Sequence, residues 1–163
     1  MKFDKLNLSD AFRLMVSLFV PLYCGLFGGL ATASSVNTWY ASLNKPFFTP
    51  PNWIFGPVWS IIYVLMGISM FLVWENGLDK EKSRIAILIF ACQLAMNVFW
   101  SFAFFGFMAP VVALMTILVL WGLILLMIIN FYHISKVAAY LNIPYLLWVS
   151  FATILNLAIV VLN

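Results

Sequence analysis

WYASLNKPFFTPPNWIFGPVWSIIY, residues 39–63, decides how this chain is read. It holds four prolines, three tryptophans and a single charged side chain, Lys45. On either side lies a run apolar enough to cross a bilayer. A connection between membrane helices needs only a few residues. This one, placed at 34–53, is stiffened by Pro46, Pro50 and Pro51 and carries the aromatic surfaces of Trp39, Phe48 and Trp53. Such a segment is expected to act as a lid over something apolar.

The rest of the chain supports that setting. Of 163 residues, 66% are hydrophobic and 8% charged, and the mean hydropathy is +1.10. Soluble domains carry roughly 25% charged residues, and no water-soluble fold of this size buries so much apolar surface. The solvent is therefore lipid. A spanning helix needs about 20 apolar residues, and windows at 11–33, 54–74, 85–105, 110–131 and 138–162 supply them. Runs of this length exclude a membrane barrel, whose strands alternate over about ten residues. The expectation is an all-α integral membrane protein, one domain over 1–163, built as a five-transmembrane-helix bundle.

The first window admits another reading. Lys2, Lys5 and Arg13 precede an apolar run ending in Ala31-Thr32-Ala33, which resembles a signal-peptide cleavage site. The run is longer than such peptides carry, and Gly25, Gly28 and Gly29 suit a packed helix better. Orientation follows from the basic residues. Lys2, Lys5, Arg13, Lys80, Lys82, Arg84 and Lys136 fall on one side and only Lys45 on the other. This bias places the N-terminus inside and the C-terminus outside, with the aromatic loop facing away from the cytoplasm of a prokaryotic cell membrane. The net charge of +3 follows from the same asymmetry and calls for no nucleic-acid partner.

Polar residues within the spans must face protein or a cavity. Helical spacing gathers Gln93, Asn97, Trp100, Ser101 and Phe104 on one face of the third span, Tyr145, Trp148, Ala152 and Asn156 on the fifth, and Trp59, Tyr63 and Met66 on the second. The fourth span reads as mostly lipid-facing. The second, third and fifth spans therefore share an aromatic-polar interior that the loop closes. Asn97 and Asn156 also fit ordinary interhelical hydrogen bonding. Trp59, Trp100 and Trp148 fit a pocket better, because indole usually sits at the membrane interface.

Acid–base and nucleophilic chemistry find little support. The one histidine, His133, stands at the far end of the fourth span, and no Asp, Glu, Lys, Arg or His lies at mid-membrane depth. Proton-coupled transporters use such groups. No metal-ligand spacing occurs, and Cys24 and Cys92 read as packing residues.

One family shares these residues. Trp39-Tyr40, Leu43, Lys45-Pro46, Pro50-Pro51, Trp53, Phe55-Gly56-Pro57-Val58-Trp59 and Tyr63 resemble the signature of the translocator proteins. These are also called tryptophan-rich sensory proteins (TspO) or peripheral-type benzodiazepine receptors. Gln93-Leu94 with Asn97 and Trp100, Phe104-Phe105-Gly106, and Pro144-Tyr145 with Trp148, Phe151-Ala152 and Leu155-Asn156 extend the resemblance over nearly the whole chain. It implies a five-helix membrane protein, often a homodimer, that binds tetrapyrroles such as protoporphyrin IX and haem and needs no cofactor. By resemblance the ligand would meet Tyr40, Trp59, Tyr63, Asn97, Trp100, Trp148 and Ala152, beneath a lid of Trp39, Pro46, Phe48, Pro50, Pro51 and Trp53. Some bacterial members are credited with light-dependent porphyrin breakdown, which would give Trp59 a catalytic part.

Two departures stand out. Phe48 replaces the usual tryptophan, and no basic residue follows Tyr145, so the animal sterol motif is missing from the fifth span. Val36 to Lys45 and Leu126 to Lys136 satisfy only a loose sterol pattern. Three readings stay open: a porphyrin-binding receptor or transporter, a porphyrin-degrading photo-oxidase, and a structural or regulatory membrane protein whose aromatic interior is packing alone.

Overall fold

The computed structural model describes residues 8–77 and 80–163. Lys2 and Lys5, and Leu78 and Asp79 of the charged turn, lie outside the described residues. Within these the chain is wholly helical: α1 (Leu8–Ser35), α2 (Trp39–Ser42), α3 (Asn52–Trp74), α4 (Glu81–Ser101), α5 (Pro110–Tyr132), α6 (Lys136–Tyr140) and α7 (Ile143–Leu162). Five segments are long and apolar enough to cross a membrane.

The spans run past the expected windows at most ends, because hydropathy does not register the polar residues of a terminal turn. The loop at 34–53 is correspondingly shorter and contains the single turn α2. The window at 138–162 divides into α6 and α7. Pro144 lies in the first turn of α7, where its missing N–H leaves no helical bond unmade. The break before it is tied to α3: Asn142 Nδ2 donates to Ser69 Oγ (2.6 Å) and to the Ala138 carbonyl (2.9 Å), and Ser69 Oγ donates to the same carbonyl (2.8 Å).

α1 packs on α3 and α4, α4 on α5, and α5 on α7. Aromatic side chains face each other from α3 and α7, with Phe55 against Trp148 and Trp59 against Tyr145. The core sits along α3, α4, α5 and α7. α1 is the least buried span. The fourth span keeps most of its surface outward, with Met115, Leu118, Val119 and Ile129 exposed, but it also packs: Ala113, Ile117, Leu120, Ile124, Met127 and Phe131 of α5 are at most 1% exposed. Their spacing of three and four residues forms one buried stripe. In lipid an aliphatic helix gives no sign of which face packs, since its neighbours are as apolar as the tails.

α4 ends in a π-helical turn, Phe102–Gly106, where Phe107 N–H donates to the Phe102 carbonyl at 2.7 Å. Met108 then takes a positive φ of 52° to turn the chain into α5. The extra residue per turn rotates the aromatic run, so that Phe104 is buried and Phe105 reaches the neighbouring cavity.

Candidate ligand-binding site

Between α1, α3 and the end of α4 lies a cavity of about 660 Å³. Phe55, Trp59 and Tyr63 line it from α3, Trp100 and Ser101 from α4, and Phe105 from the π turn. α1 supplies the remaining wall from Leu22 to Ala33, and Val36 just past its end and Tyr40 of α2 close the loop end. Leu26, Gly29, Leu30 and Ala33 on α1 and Gly56 and Ser60 on α3 are exposed rim positions. The cavity therefore opens sideways, between α1 and α3, into the region lipid occupies. A Cβ at Gly29 or Gly56 would meet nothing within 4 Å, so both glycines edge open space.

The aromatic wall is a continuous array. Trp59 stacks on Tyr63 (centroids 5.6 Å apart, 26° between planes) and lies 6.5 Å from Trp100, which stacks on Phe104 at 5.8 Å. Such offset arrangements contribute about 0.5–1.5 kcal/mol per pair beyond burial. Gly25 makes room for it: a Cβ there would overlap the Tyr63 ring.

Beneath the cavity a hydrogen-bonded chain joins three helices. Tyr63 Oη donates to Asn97 Oδ1 (2.7 Å), Asn97 Nδ2 donates to Tyr145 Oη (3.0 Å), and Tyr145 Oη donates to Gln93 Oε1 (2.9 Å). Asn97 and Gln93 are at most 1% exposed. Higher up, Trp100 Nε1 donates to Asn156 Oδ1 at 3.3 Å, and Asn156 Nδ2 donates to the Pro110 carbonyl at 2.9 Å. The polar faces read from the sequence therefore meet each other. Tyr63→Phe is expected to lower stability by about 1 kcal/mol, and Tyr145→Phe by more because its hydroxyl serves two partners. Unfolding of the detergent-solubilised variants by SDS, including a cycle with Asn97→Ala, measures both.

Of the expected ligand contacts, Tyr40, Trp59, Tyr63 and Trp100 come together around the cavity. Asn97, Trp148 and Ala152 do not line it. Asn97 is spent on the two tyrosines. Trp148 stands behind Phe55, whose ring lines the cavity and packs against the indole at 5.7 Å. Its Nε1 is buried with no hydrogen-bond partner among the described residues. The wall opposite α3 and α4 is thus α1, where α7 had been expected. Only the spacing of Gly25 and Gly29 hinted at it, and that spacing reads equally well as helix packing.

The lid residues are also redistributed. Trp39 packs edge-on against Phe104 at 5.6 Å, while Phe48 touches Phe151 of α7 at 6.3 Å. Pro46, Pro50, Pro51 and Trp53 do not line the cavity, and Trp53 is 73% exposed. The loop is pinned to the end of α7 by a reciprocal pair: Asn44 N–H donates to Asn163 Oδ1 and Asn163 Nδ2 to the Asn44 carbonyl, each at 3.0 Å. Lys45 Nζ donates to the Ala41 carbonyl at 3.1 Å and lies 4.9 Å from the centre of the Tyr40 ring. Burial pushes the Tyr40 phenol above its ordinary range.

Comparison with known proteins gives this arrangement a family. The TspO/MBR family model matches residues 17–162. The chain is 46% identical over 151 residues to the tryptophan-rich protein TspO of Archaeoglobus fulgidus, covering 93% of this chain and 97% of that one. It is 40% identical over 119 residues to the translocator protein of Homo sapiens, covering 72% and 70%. With the tryptophan-rich sensory protein of Cereibacter sphaeroides it shares 33% identity over 140 residues, 86% of each chain. This five-span integral membrane protein belongs to the TspO/MBR family.

Proposed function

We propose that the cavity between α1, α3 and α4 binds a flat, apolar tetrapyrrole, such as protoporphyrin IX or haem, and that the protein acts as its membrane receptor or transporter. The observation that carries this reading is the aromatic wall of Trp59, Trp100, Phe55 and Phe105 around about 660 Å³ of space open to lipid. Stacking and apolar burial supply affinity for a macrocycle, and a few polar groups fix its orientation. The lateral opening admits a ligand dissolved in the bilayer. Lys45, on the loop beside Tyr40, is the basic residue nearest the mouth that an acidic substituent of the macrocycle would meet. The names of the relatives, a translocator and a sensory protein, accord with this reading. Insertion in a prokaryotic cell membrane as a homodimer, with the basic end inside and the aromatic loop outside, completes it.

A second reading is favoured by the place of Trp59. It forms the cavity wall and stacks on Tyr63, so a bound, illuminated porphyrin would have an oxidisable indole beside it. Titration with protoporphyrin IX in the dark, followed by illumination in air, separates the readings. Saturable quenching of tryptophan fluorescence, weakened about tenfold in Trp59→Ala through lost stacking, supports binding. A new pigment on illumination, missing in Trp59→Phe, supports the second reading. No quenching at micromolar porphyrin contradicts both.

A further inference from the structure

The two tryptophans that line the aromatic cavity are placed by different means. Trp59 lies on the Tyr63 ring, whereas Trp100 is tied through its N–H to Asn156 Oδ1 of α7 at 3.3 Å. Asn156 is 1% exposed and does not line the cavity. The hydrogen bond therefore keeps the Nε1 edge of the indole behind the wall. Trp100 is itself 8% exposed, so only a strip of its ring reaches the cavity. Phe104 stacks on that ring at 5.8 Å, and Phe105 meets it edge-on at 6.2 Å.

A carboxamide can present an indole N–H with its oxygen or, unfavourably, with its NH2 group. Here the choice is made on α5. Asn156 Nδ2 donates to the Pro110 carbonyl at 2.9 Å, which leaves Oδ1 on the Trp100 side. Turning the amide over would set donor against donor at Trp100 and acceptor against acceptor at Pro110. Pro110 stands two residues after Met108, whose positive φ leads the chain out of the π turn and into α5. The turn that carries Phe104 and Phe105 thus also fixes the carbonyl that orients Asn156. A released indole N–H has no water to bond inside a membrane. Without Asn156 it would turn towards another acceptor, and the ring would leave its place in the wall.

We propose that Asn156 is a positioning residue for the ligand: it holds the Trp100 N–H behind the wall, so that the indole meets a bound macrocycle with ring carbons and acts as a stacking surface. The inference rests on the tetrapyrrole reading of the cavity. Asn156→Leu, made in the unaltered full-length protein and in Trp100→Phe, tests it by titration with protoporphyrin IX. Phe keeps a ring at position 100 but has no N–H to hold. In the first background affinity should fall about fivefold, as expected for one disturbed stacking contact. In the second the same change should shift affinity less than about twofold, because nothing is left for Asn156 to position. The Trp100 indole N–H of the ligand-free protein should exchange slowly with water, and faster in Asn156→Leu. The signal of Trp121, bonded to Ser150, should stay in place. Asn156→Ala should give the same pattern, and carries the test where leucine prevents folding. A purely structural asparagine would cost the same affinity in both backgrounds, and that result would overturn the inference. So would a Trp100 signal that Asn156→Leu leaves unmoved. Unchanged binding in Asn156→Leu would sink this inference alone, whereas no binding by the unaltered protein would sink the tetrapyrrole reading with it.

Discussion

Gly67→Val is expected to cost the bundle about 3 kcal/mol or more, the upper range for overpacking a well-filled interior. A Cβ at Gly67 would stand 2.7 Å from the Ser17 carbonyl oxygen and 2.9 Å from the Leu18 Cα. Those are backbone atoms of α1 and cannot swing aside, so α1 must lift from α3. The aromatic cavity has α1 and α3 among its walls, so the damage should reach it. Gly122→Val is the control, because a Cβ at Gly122 on α5 meets nothing within 4 Å. The SDS midpoint should fall sharply for the first variant and barely for the second. Equal midpoints would show that the close approach of α1 and α3 contributes little.

The second large effect is expected on binding, with the fold intact. In Gly25→Val the new side chain overlaps the Tyr63 ring. That ring is held by its stack on Trp59 and its 2.7 Å hydrogen bond to Asn97. To make room it must leave both, and the aromatic wall loses its order. Losing the ligand's stacking on the displaced wall is worth about 1.4 kcal/mol, or roughly tenfold in affinity for protoporphyrin IX. Helix content by circular dichroism should not change. Unaltered affinity would show that Tyr63 is not part of the working wall.

The sequence and the structure differ in an instructive way. The five spans were legible because a bilayer imposes length and apolarity directly. The polar faces of α4 and α7 were legible because Gln93, Asn97, Tyr145 and Asn156 have to find partners inside a membrane. What they find is mainly one another, which makes them the frame of the site. The α1 wall was not legible: Leu22, Leu26 and Leu30 look the same whether they face lipid, protein or a cavity. The buried stripe of α5 was hidden for the same reason. The π turn carried no signature, since Phe-Ala-Phe-Phe-Gly is equally compatible with an α-helix. Nor could spacing show that Phe55 would come between Trp148 and the cavity.

The claim on which the functional reading rests is the location of the ligand against α3 and α4 on the side facing α1. The heteronuclear NMR signals of the seven tryptophan indole N–H groups, assigned by single Trp→Phe variants, test it in one titration with protoporphyrin IX. The macrocycle's ring current acts only on groups close to it. Trp59 and Trp100, which line the cavity, should shift strongly, and Trp121, bonded to Ser150 on the far side of the bundle, should stay in place. Large shifts at Trp121 or Trp148 with Trp59 and Trp100 unmoved would contradict the account.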